Sequence, residues 1–246
     1  MGCQACREGA ELPFDFTMAF QPIVDIAART VFAYEALVRG VNGEGAGTVL
    51  AAVDADNRYA FDQACRVKAI ELAAALGLPA TGARLSINFM PAAVYRPENC
   101  LRTTVQTSNA VGMPLDRLMF EVTENEPVND PAHLLGIFHE YRRRGFLAAI
   151  DDFGAGYAGL TLLAKFQPDI LKIDMELTRD VANRPVSRTI VAAIVQVCQT
   201  LGVTVVAEGV ETEDELATLR AMGITLFQGY LFGRPAFQAL DKPVGL

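Results

Sequence analysis

The chain has 246 residues, of which 51% are hydrophobic and 20% charged, and its formal net charge is −8. This composition excludes a disordered chain and supplies enough apolar side chains for a sizeable core. The negative charge disfavours binding to long nucleic acids, which requires basic patches. The longest strongly apolar stretch, Ile190–Val197, is too short to span a bilayer, and residues 1–16 show no signal peptide. We therefore expect a cytoplasmic protein without membrane insertion.

Five cysteines are spread widely along the chain, at Cys3, Cys6, Cys65, Cys100 and Cys198. Their odd number and spacing disfavour a disulfide framework and fit a reducing compartment. Cys3 and Cys6 have the spacing of metal ligands, but no second pair follows them. Residues 1–16 are therefore interpreted either as a short tail that carries thiols or as a zinc or redox site.

Strand-like and helix-like segments alternate from residue 17 to the end of the chain. The predicted strands are Met18–Val24, Val31–Val38, Arg84–Phe89, Leu118–Thr123, Leu147–Asp151, Ile170–Ile173, Val203–Ala207 and Thr225–Gly229. The predicted helices are Val49–Leu76, Pro131–Arg144, Ser187–Leu201 and Thr212–Met222. Asn129-Asp130-Pro131 predicts a capped start for the second of these helices, and Thr212 with Glu215 predicts a capping box at the last.

Eight strands in one domain of this size favour a (β/α)8 barrel over an open, doubly wound sheet. Apolar runs such as Val203–Ala207 are typical of strands that are buried on both faces. Only residues 27–30 join the first two predicted strands, which indicates a hairpin. We therefore predict an α/β fold over residues 17–246, a modified TIM-type (β/α)8 barrel with one antiparallel strand.

Polar side chains lie in or just after most of the predicted strands: Glu35, Asn88, Glu121, Glu124, Asp151, Asp152, Lys172, Asp174, Glu208, Glu211 and Gln228. Taken singly, an acidic residue after a strand is most often a helix cap or part of a solvated loop. In a barrel, however, the parallel strands end at one rim, where these side chains would converge. Converging carboxylates repel one another unless hard cations bind between them, and this oxygen-rich set suits Mg²⁺ or Mn²⁺.

Two features within this set indicate phosphoryl chemistry. The adjacent Asp151 and Asp152 would serve two metals, with one carboxylate bridging them, an arrangement that suits in-line displacement at phosphorus. Lys172 among the acids would orient a water or neutralise charge on a phosphate. The glycine-containing segment Asp152–Tyr157 is either a tight strand-to-helix turn or a mobile loop that links the acids to a neighbouring surface.

These residues lie in short motifs that together resemble the EAL-domain family of bacterial cyclic di-GMP phosphodiesterases. The motif that names the family is Glu35-Ala36-Leu37, followed by Val38-Arg39. The other matching segments are, in chain order, Gln21–Val24, Ser86–Asn88, Glu121–Glu124, Asp151–Tyr157, Leu171–Asp174, Glu208–Glu211, Gln228–Tyr230 and Gly233–Pro235. The resemblance covers roughly residues 17–240, and so many motifs in order make it specific.

The resemblance implies a modified barrel that hydrolyses one phosphodiester bond of cyclic di-GMP to give linear pGpG. It also implies two Mg²⁺ or Mn²⁺ ions per site, inhibition by Ca²⁺, and a homodimer through the loop 152–157 and the helix after it. The implied metal ligands are Glu35, Asn88, Glu121, Asp151, Asp152 and Glu208. The implied catalytic group is Lys172, which holds the attacking water, with Glu35, Glu208 and the supporting acid Glu211. The implied loop anchor is Glu124, and the implied substrate contacts are Gln21, Leu37, Gln228 and Arg39, the last to a phosphate.

Some residues depart from the family pattern. Gly40 stands where tryptophan is frequent, Met90 where a small polar residue is usual, and Ala155 and Ala158 where threonine and serine are frequent. None of these changes removes an implied ligand, which favours an active enzyme. Two alternatives stay open: a non-catalytic cyclic di-GMP receptor or protein-interaction module, and a metal-dependent barrel enzyme with another substrate. Since no sensory domain fits outside the barrel, we expect any input signal to come from a partner protein or from the cysteine tail.

Overall fold

The computed structural model describes residues 12–123, 131–156 and 159–245. The Cys3–Cys6 pair, Glu124, the cap predicted at Asn129-Asp130 and Tyr157 lie outside the described residues. Just before the first strand, Leu12 and Phe14 pack against the core, and the Phe16 ring lies 5.3 Å from that of Phe61. Among the described helices, none combines the length and the apolar character needed to cross a membrane.

The strands of the described residues form one sheet that closes into a barrel. They are β1 Thr17–Asp25, β2 Thr30–Arg39, β3 Arg84–Asn88, β4 Leu118–Thr123, β5 Leu147–Phe153, β6 Ile170–Ile173, β7 Thr204–Ala207, β8 Leu226–Gln228 and β9 Ala236–Phe237. Strands β2 to β8 pair in chain order and run parallel. Strand β1 lies between β8 and β2 and is antiparallel to both, which closes the ring. The predicted eight-strand barrel with one antiparallel strand is therefore confirmed.

The predicted hairpin between β1 and β2 is also present. The Asp25 carboxylate accepts hydrogen bonds from the backbone N–H groups of Ala27 and Ala28, at 2.9 and 3.0 Å. Arg29 has a φ of +57° and completes the turn. A side chain of this kind replaces a backbone partner in a tight turn, which explains how a turn without glycine joins the two strands.

Helices cover the outside of the barrel. They are α1 Ala46–Leu50, α2 Arg58–Ala75, α3 Leu78–Thr81, α4 Pro97–Ala110, α5 Pro131–Arg143, α6 Gly159–Lys165, α7 Met175–Thr178, α8 Pro185–Leu201 and α9 Glu213–Ala221. The capping box predicted at the start of α9 is present, because Thr212 and Glu215 exchange side-chain-to-backbone hydrogen bonds. Short 3₁₀ turns occur at Pro91–Ala93 and Leu115–Arg117.

The prediction of one long helix over Val49–Leu76 is wrong, because residues 51–57 separate α1 from α2. The Asp54 carboxylate accepts from the backbone N–H groups of Asp56 and Asn57, at 2.9 and 3.0 Å. The Asn57 side chain accepts in turn from the backbone of Asp54, at 3.0 Å. Short polar side chains that bond to nearby backbone compete with helical hydrogen bonds, and here they end the first helix. The sequence prediction also missed β9, which at two residues is too short to show a period.

The glycine at 229 is required by a close approach between backbone segments. A Cβ atom at Gly229 would overlap the carbonyl oxygen and the nitrogen of Val210. We predict that Gly229→Ala lowers the free energy of unfolding by at least about 2 kcal/mol, since neither backbone segment can yield cheaply. Chemical denaturation would measure this change.

The matched control is Gly136→Ala in α5, where an added Cβ meets nothing within 4 Å. Alanine is the better helix former, so this variant should gain up to about 1 kcal/mol. A Gly229→Ala protein as stable as the wild type would contradict the packing described for this turn.

Candidate active site

The barrel interior is built in two layers because side chains alternate along each strand. The lower layer is an apolar cluster of Ile23, Ala33, Met119, Ala149, Ile170, Val206 and Leu226, with Phe32 and Leu147 packed against it. Two residues further toward the carboxyl ends of the parallel strands, the same face carries a polar layer: Glu35, Asn88, Glu121, Asp151, Lys172, Glu208 and Gln228. On the antiparallel β1, Gln21 takes the equivalent place two residues before Ile23. The predicted convergence at one rim therefore follows from register.

Lys172 is fully buried and contacts four carboxylates. Its Nζ lies 2.8 Å from Glu208 Oε1, 2.9 Å from Glu121 Oε2, 3.0 Å from Asp151 Oδ1 and 3.2 Å from Glu35 Oε2. These contacts come from strands β2, β4 and β5 and from the residue that follows β7, so one ammonium group holds together both sides of the barrel mouth.

Neutral side chains fix the orientation of Glu35. Asn88 Nδ2 donates to Glu35 Oε1 at 2.9 Å, and Gln228 Nε2 donates to Glu35 Oε2 at 2.7 Å. Gln228 Nε2 also lies 3.2 Å from Gln21 Oε1, while Gln21 Nε2 donates to the carbonyl of Gly233 at 3.1 Å. The amides therefore form a chain along one side of the carboxylates.

Ser86 is a member of the site that sequence reasoning did not single out. It is fully buried, and its hydroxyl donates to Glu121 Oε1, the carboxylate oxygen that does not face Lys172. Two sequence signals pointed to it: it begins the matching segment Ser86–Asn88, and it lies two residues before Asn88 and therefore on the same face of β3.

The carboxylates outnumber the ammonium group, and this imbalance shows in their pKa values. Burial and the neighbouring Glu35 and Asp151 raise the pKa of Glu121 to about 8, against the opposing effect of Lys172. Burial and the adjacent Asp151 also raise the pKa of Asp152 to about 6. The pKa of Lys172 is raised well above its usual value, since the four carboxylates outweigh the effect of burial.

Two groups of three carboxylates share Asp151, namely Glu35–Glu121–Asp151 and Asp151–Asp152–Glu208. Within each group, one oxygen per residue lies within 4.8 Å of the others. Asp152 reaches the mouth because the β5–β6 register shifts between Ile150 and Phe153 and its own φ is +54°. A regular strand would send consecutive side chains to opposite faces. This donor set, all carboxylate oxygen, fits hard divalent cations such as Mg²⁺ or Mn²⁺.

Three predicted site residues lie outside this hydrogen-bonded set. Glu211 forms a double ion pair with Arg179, at 2.8 and 2.9 Å. Arg39 Nη1 donates to the carbonyl of Val38 at 2.7 Å. Leu37 lines a largely apolar cavity of about 250 Å³ that reaches Asn88. The structure thus gathers the predicted ligands and amides, while Glu211 is held by a cation from outside the barrel.

Comparisons with known proteins agree with this geometry. A standalone versatile EAL protein from Vibrio cholerae O395, solved in its c-di-GMP bound form, has a TM-score of 0.91 and 49% identity, covering 95% of this chain and 97% of that one. The manganese/cy-diGMP complex of Klebsiella pneumoniae BlrP1 at pH 9.0 has a TM-score of 0.86 and 39% identity, covering 94% of this chain and 59% of that one.

Two curated relatives match over part of their length. The blue light- and temperature-regulated antirepressor BluF of Escherichia coli K12 is 31% identical over 224 residues, which is 91% of this chain and 55% of BluF. The cyclic di-GMP phosphodiesterase PdeR of the same organism is 38% identical over 135 residues, which is 55% of this chain and 20% of PdeR. The chain therefore spans about half or less of these curated relatives.

The fold and the carboxylate layer define a (β/α)8-barrel protein with a candidate divalent-metal centre at the carboxyl ends of its strands. The family model for the EAL domain matches residues 9–235. The chain belongs to the EAL domain family.

The raised carboxyl pKa values predict how chelated protein responds to pH. Between the usual value of 4.5 and about 8, the native Glu121 retains a proton that the unfolded chain has lost. The free energy of unfolding should therefore fall as pH rises through this window, by up to about 1.4 kcal/mol per pH unit for each retained proton. Denaturant titrations in a chelator between pH 5 and 8 would measure the slope.

The same protons compete with a divalent cation, so Mn²⁺ affinity should rise over the same window. Glu121→Gln is the control, since it removes one titrating group and should reduce the slope of stability against pH, while the raised pKa values of Asp152 and Glu208 still contribute. Chelated protein whose stability increases from pH 5 to 8 would contradict the assignment.

Proposed function

We propose that the protein hydrolyses cyclic di-GMP to linear pGpG with Mg²⁺ or Mn²⁺, two ions per site. The observation that carries the proposal is the buried layer of carboxylates around Lys172, with two overlapping three-carboxylate groups that share Asp151. Two relatives support cyclic di-GMP as the substrate. The Vibrio cholerae protein was solved with c-di-GMP bound, and PdeR is named as a cyclic di-GMP phosphodiesterase. The manganese complex of BlrP1 supports the metal.

Six residues would hold the ions: Glu35, Asn88, Glu121, Asp151, Asp152 and Glu208. When bound, the two cations supply Lewis acidity and favour ionisation of a water. The amides of Asn88 and Gln228 keep both oxygens of Glu35 in fixed positions. Lys172 keeps four of the carboxylates together, and its assigned role of holding the attacking water would use a donor hydrogen that a carboxylate releases when it binds a cation.

In the reaction, the water oxygen gives up a proton and bonds to phosphorus, the P–O3′ ester bond breaks, and the leaving oxygen takes up a proton. Arg39 lies at the end of β2, where its Nη1 donates to the Val38 carbonyl at 2.7 Å, and we assign it to a substrate phosphate. Leu37 and the apolar cavity beside Asn88 would receive part of the nucleotide. Glu211 is assigned as a supporting acid by resemblance, and in the structure it pairs with Arg179 outside the carboxylate set. Glu124 is assigned as the loop anchor by resemblance alone.

We predict that Lys172→Ala and Glu35→Gln each lower kcat by at least about 100-fold, because each removes a group from the centre of the carboxylate layer. The measurement is chromatographic detection of pGpG from cyclic di-GMP with Mg²⁺, Mn²⁺ or Ca²⁺ side by side, with a chelator as blank. Ca²⁺ should inhibit.

Matched controls are Lys242→Met and Glu140→Gln, which remove the same charges at positions outside the barrel mouth. Both should keep wild-type turnover. The antirepressor BluF favours one competing function, a protein-interaction module without turnover. Tight binding of cyclic di-GMP with no pGpG under any of the metals would favour that alternative and contradict the proposal.

We further propose a cytoplasmic homodimer that forms through the loop 152–157 and α6, with a sensory partner protein as the source of any input. The support is Leu160, an apolar side chain of α6 that is 69% exposed. A single exposed apolar residue is common on protein surfaces, so the support for the interface is the position of Leu160 on α6, beside the loop that the resemblance assigns to the dimer. Such an interface would connect the environment of Asp152 to the partner protomer.

Leu160→Glu should therefore shift the protein from dimer to monomer, because a charge would be buried in the interface. Light scattering after size-exclusion chromatography would measure the mass. Val244→Glu is the control, since Val244 is also highly exposed but lies at the far end of the chain. A monomeric wild-type protein, or a dimeric Leu160→Glu variant, would contradict the interface.

A further inference from the structure

A buried ion pair lies on α2, outside the carboxylate layer. Asp62 and Arg66 are one helical turn apart, and Arg66 Nη2 lies 2.8 Å from Asp62 Oδ2. Both side chains are almost completely inaccessible, with exposed fractions of 1% and 0%. Burying two charges usually costs more solvation free energy than their mutual attraction restores. Replacing such a pair with well-packed apolar side chains is often neutral or stabilising. Fold stability alone therefore does not explain why this pair is buried.

Asp62 holds the segment that follows β3. Its Oδ1 accepts a hydrogen bond from the backbone N–H of Met90 at 2.9 Å. The strand ladder ends one residue earlier, where Phe89 N–H donates to the Glu121 carbonyl at 3.0 Å. Met90 is two residues after Asn88, whose amide is bonded to Glu35. Asp62 thus supplies the first fixed point beyond the end of the strand that carries Asn88.

Arg66 contacts aromatic side chains on the outer side of the barrel, behind the carboxyl ends of β3 and β4. Its guanidinium carbon lies 5.7 Å from the ring centre of Phe89, 5.3 Å from that of Phe120 and 5.7 Å from that of Tyr141. Phe89 follows Asn88 in the chain and Phe120 precedes Glu121, and Asn88 and Glu121 are paired across β3 and β4. Because adjacent residues point to opposite faces, the Phe89 and Phe120 rings that contact Arg66 lie directly behind the strand positions that carry Asn88 and Glu121.

We propose that Asp62 is a positioning residue for Asn88. It acts through the Met90 N–H, and Arg66 is its fixed counter-ion and holds the aromatic side chains behind β3 and β4. The pair would set the direction in which Asn88 faces Glu35 and the proposed metal site. The proposal rests on that site for its relevance to function, but its tests need no turnover.

Two double variants separate this role from a purely structural one. Asp62→Leu with Arg66→Met removes both charges and the acceptor for Met90, whereas Asp62→Asn with Arg66→Met removes both charges and keeps the acceptor. The first readout is the side-chain amide signal of Asn88 in ¹⁵N-correlated NMR spectra, assigned from its loss in Asn88→Asp. We expect a shifted or broadened Asn88 signal in the leucine variant and a signal close to wild type in the asparagine variant.

The second readout is Mn²⁺ affinity, measured by electron paramagnetic resonance of the free ion. The leucine variant should bind at least about tenfold more weakly, since residues that orient a ligand typically have effects of this size. The control is Glu140→Leu with Arg144→Met, which removes a surface pair of the same i, i+4 spacing and should change neither readout.

An unchanged Asn88 signal and Mn²⁺ affinity in the leucine variant would overturn the proposal. So would an asparagine variant that loses as much as the leucine variant, because the Met90 hydrogen bond would then not be the carrier. If the leucine variant does not fold, amide hydrogen exchange of the wild-type protein decides: Met90 must exchange as slowly as Phe89, and rapid exchange overturns the proposal. A wild-type protein that binds no Mn²⁺ refutes the proposed function, while the Asn88 signal still tests the role of Asp62.

Discussion

The Lys172 ammonium, bonded to four carboxylates in the closed barrel, is the interaction on which the mouth depends. Each of these carboxylates would be destabilising if it were buried alone, because the barrel wall replaces the water that would solvate it. One positive charge compensates only part of the set, so the remainder must be met by protons or by added cations. The pKa of Glu121 is raised to about 8, so a proton on this carboxyl group is one way to offset the imbalance. Divalent cations are the other solution, and both compete for the same oxygens.

The polar layer and the apolar layer beneath it constrain each other. Ile170 and Lys172 share one face of β6, and Met119 and Glu121 share one face of β4. A slip of one residue in either strand would move a charged side chain into the helix layer and an apolar one out of the barrel core. Register is therefore specified twice, by hydrophobic burial below and by charge pairing above. This double constraint explains how Lys172 and Glu35, 137 positions apart in the chain, come within 3.2 Å of each other.

The order of the strands and most of the site could be predicted from the sequence, because their signals are local. Apolar runs located the eight barrel strands, and the polar residue at each strand end gave most of the site. The break between α1 and α2 could not be predicted, because Asp54 and Asn57 also fit the solvated face of a helix. Only the structure shows that they form turn hydrogen bonds. The Asp62–Arg66 pair has the spacing of an ordinary surface pair, and only tertiary packing buries it. The sequence motif grouped Glu211 with the site. In the structure, its side chain instead pairs with Arg179, which comes from a different loop.

The net charge of −8 looks different once its distribution is known. Five carboxylates against one ammonium give the mouth a formal −4 when all are ionised, which is half of the total. The argument that the net charge disfavours long nucleic acids therefore applies to the outer surface. There the acidic groups are dispersed and paired, as Glu140 is with Arg143 and Arg144. At the mouth, the sign of the potential is set by which cations the oxygens hold. Under the proposed function, bound cations would offset the negative charge of the mouth, so that its attraction for a cyclic dinucleotide would increase with metal occupancy.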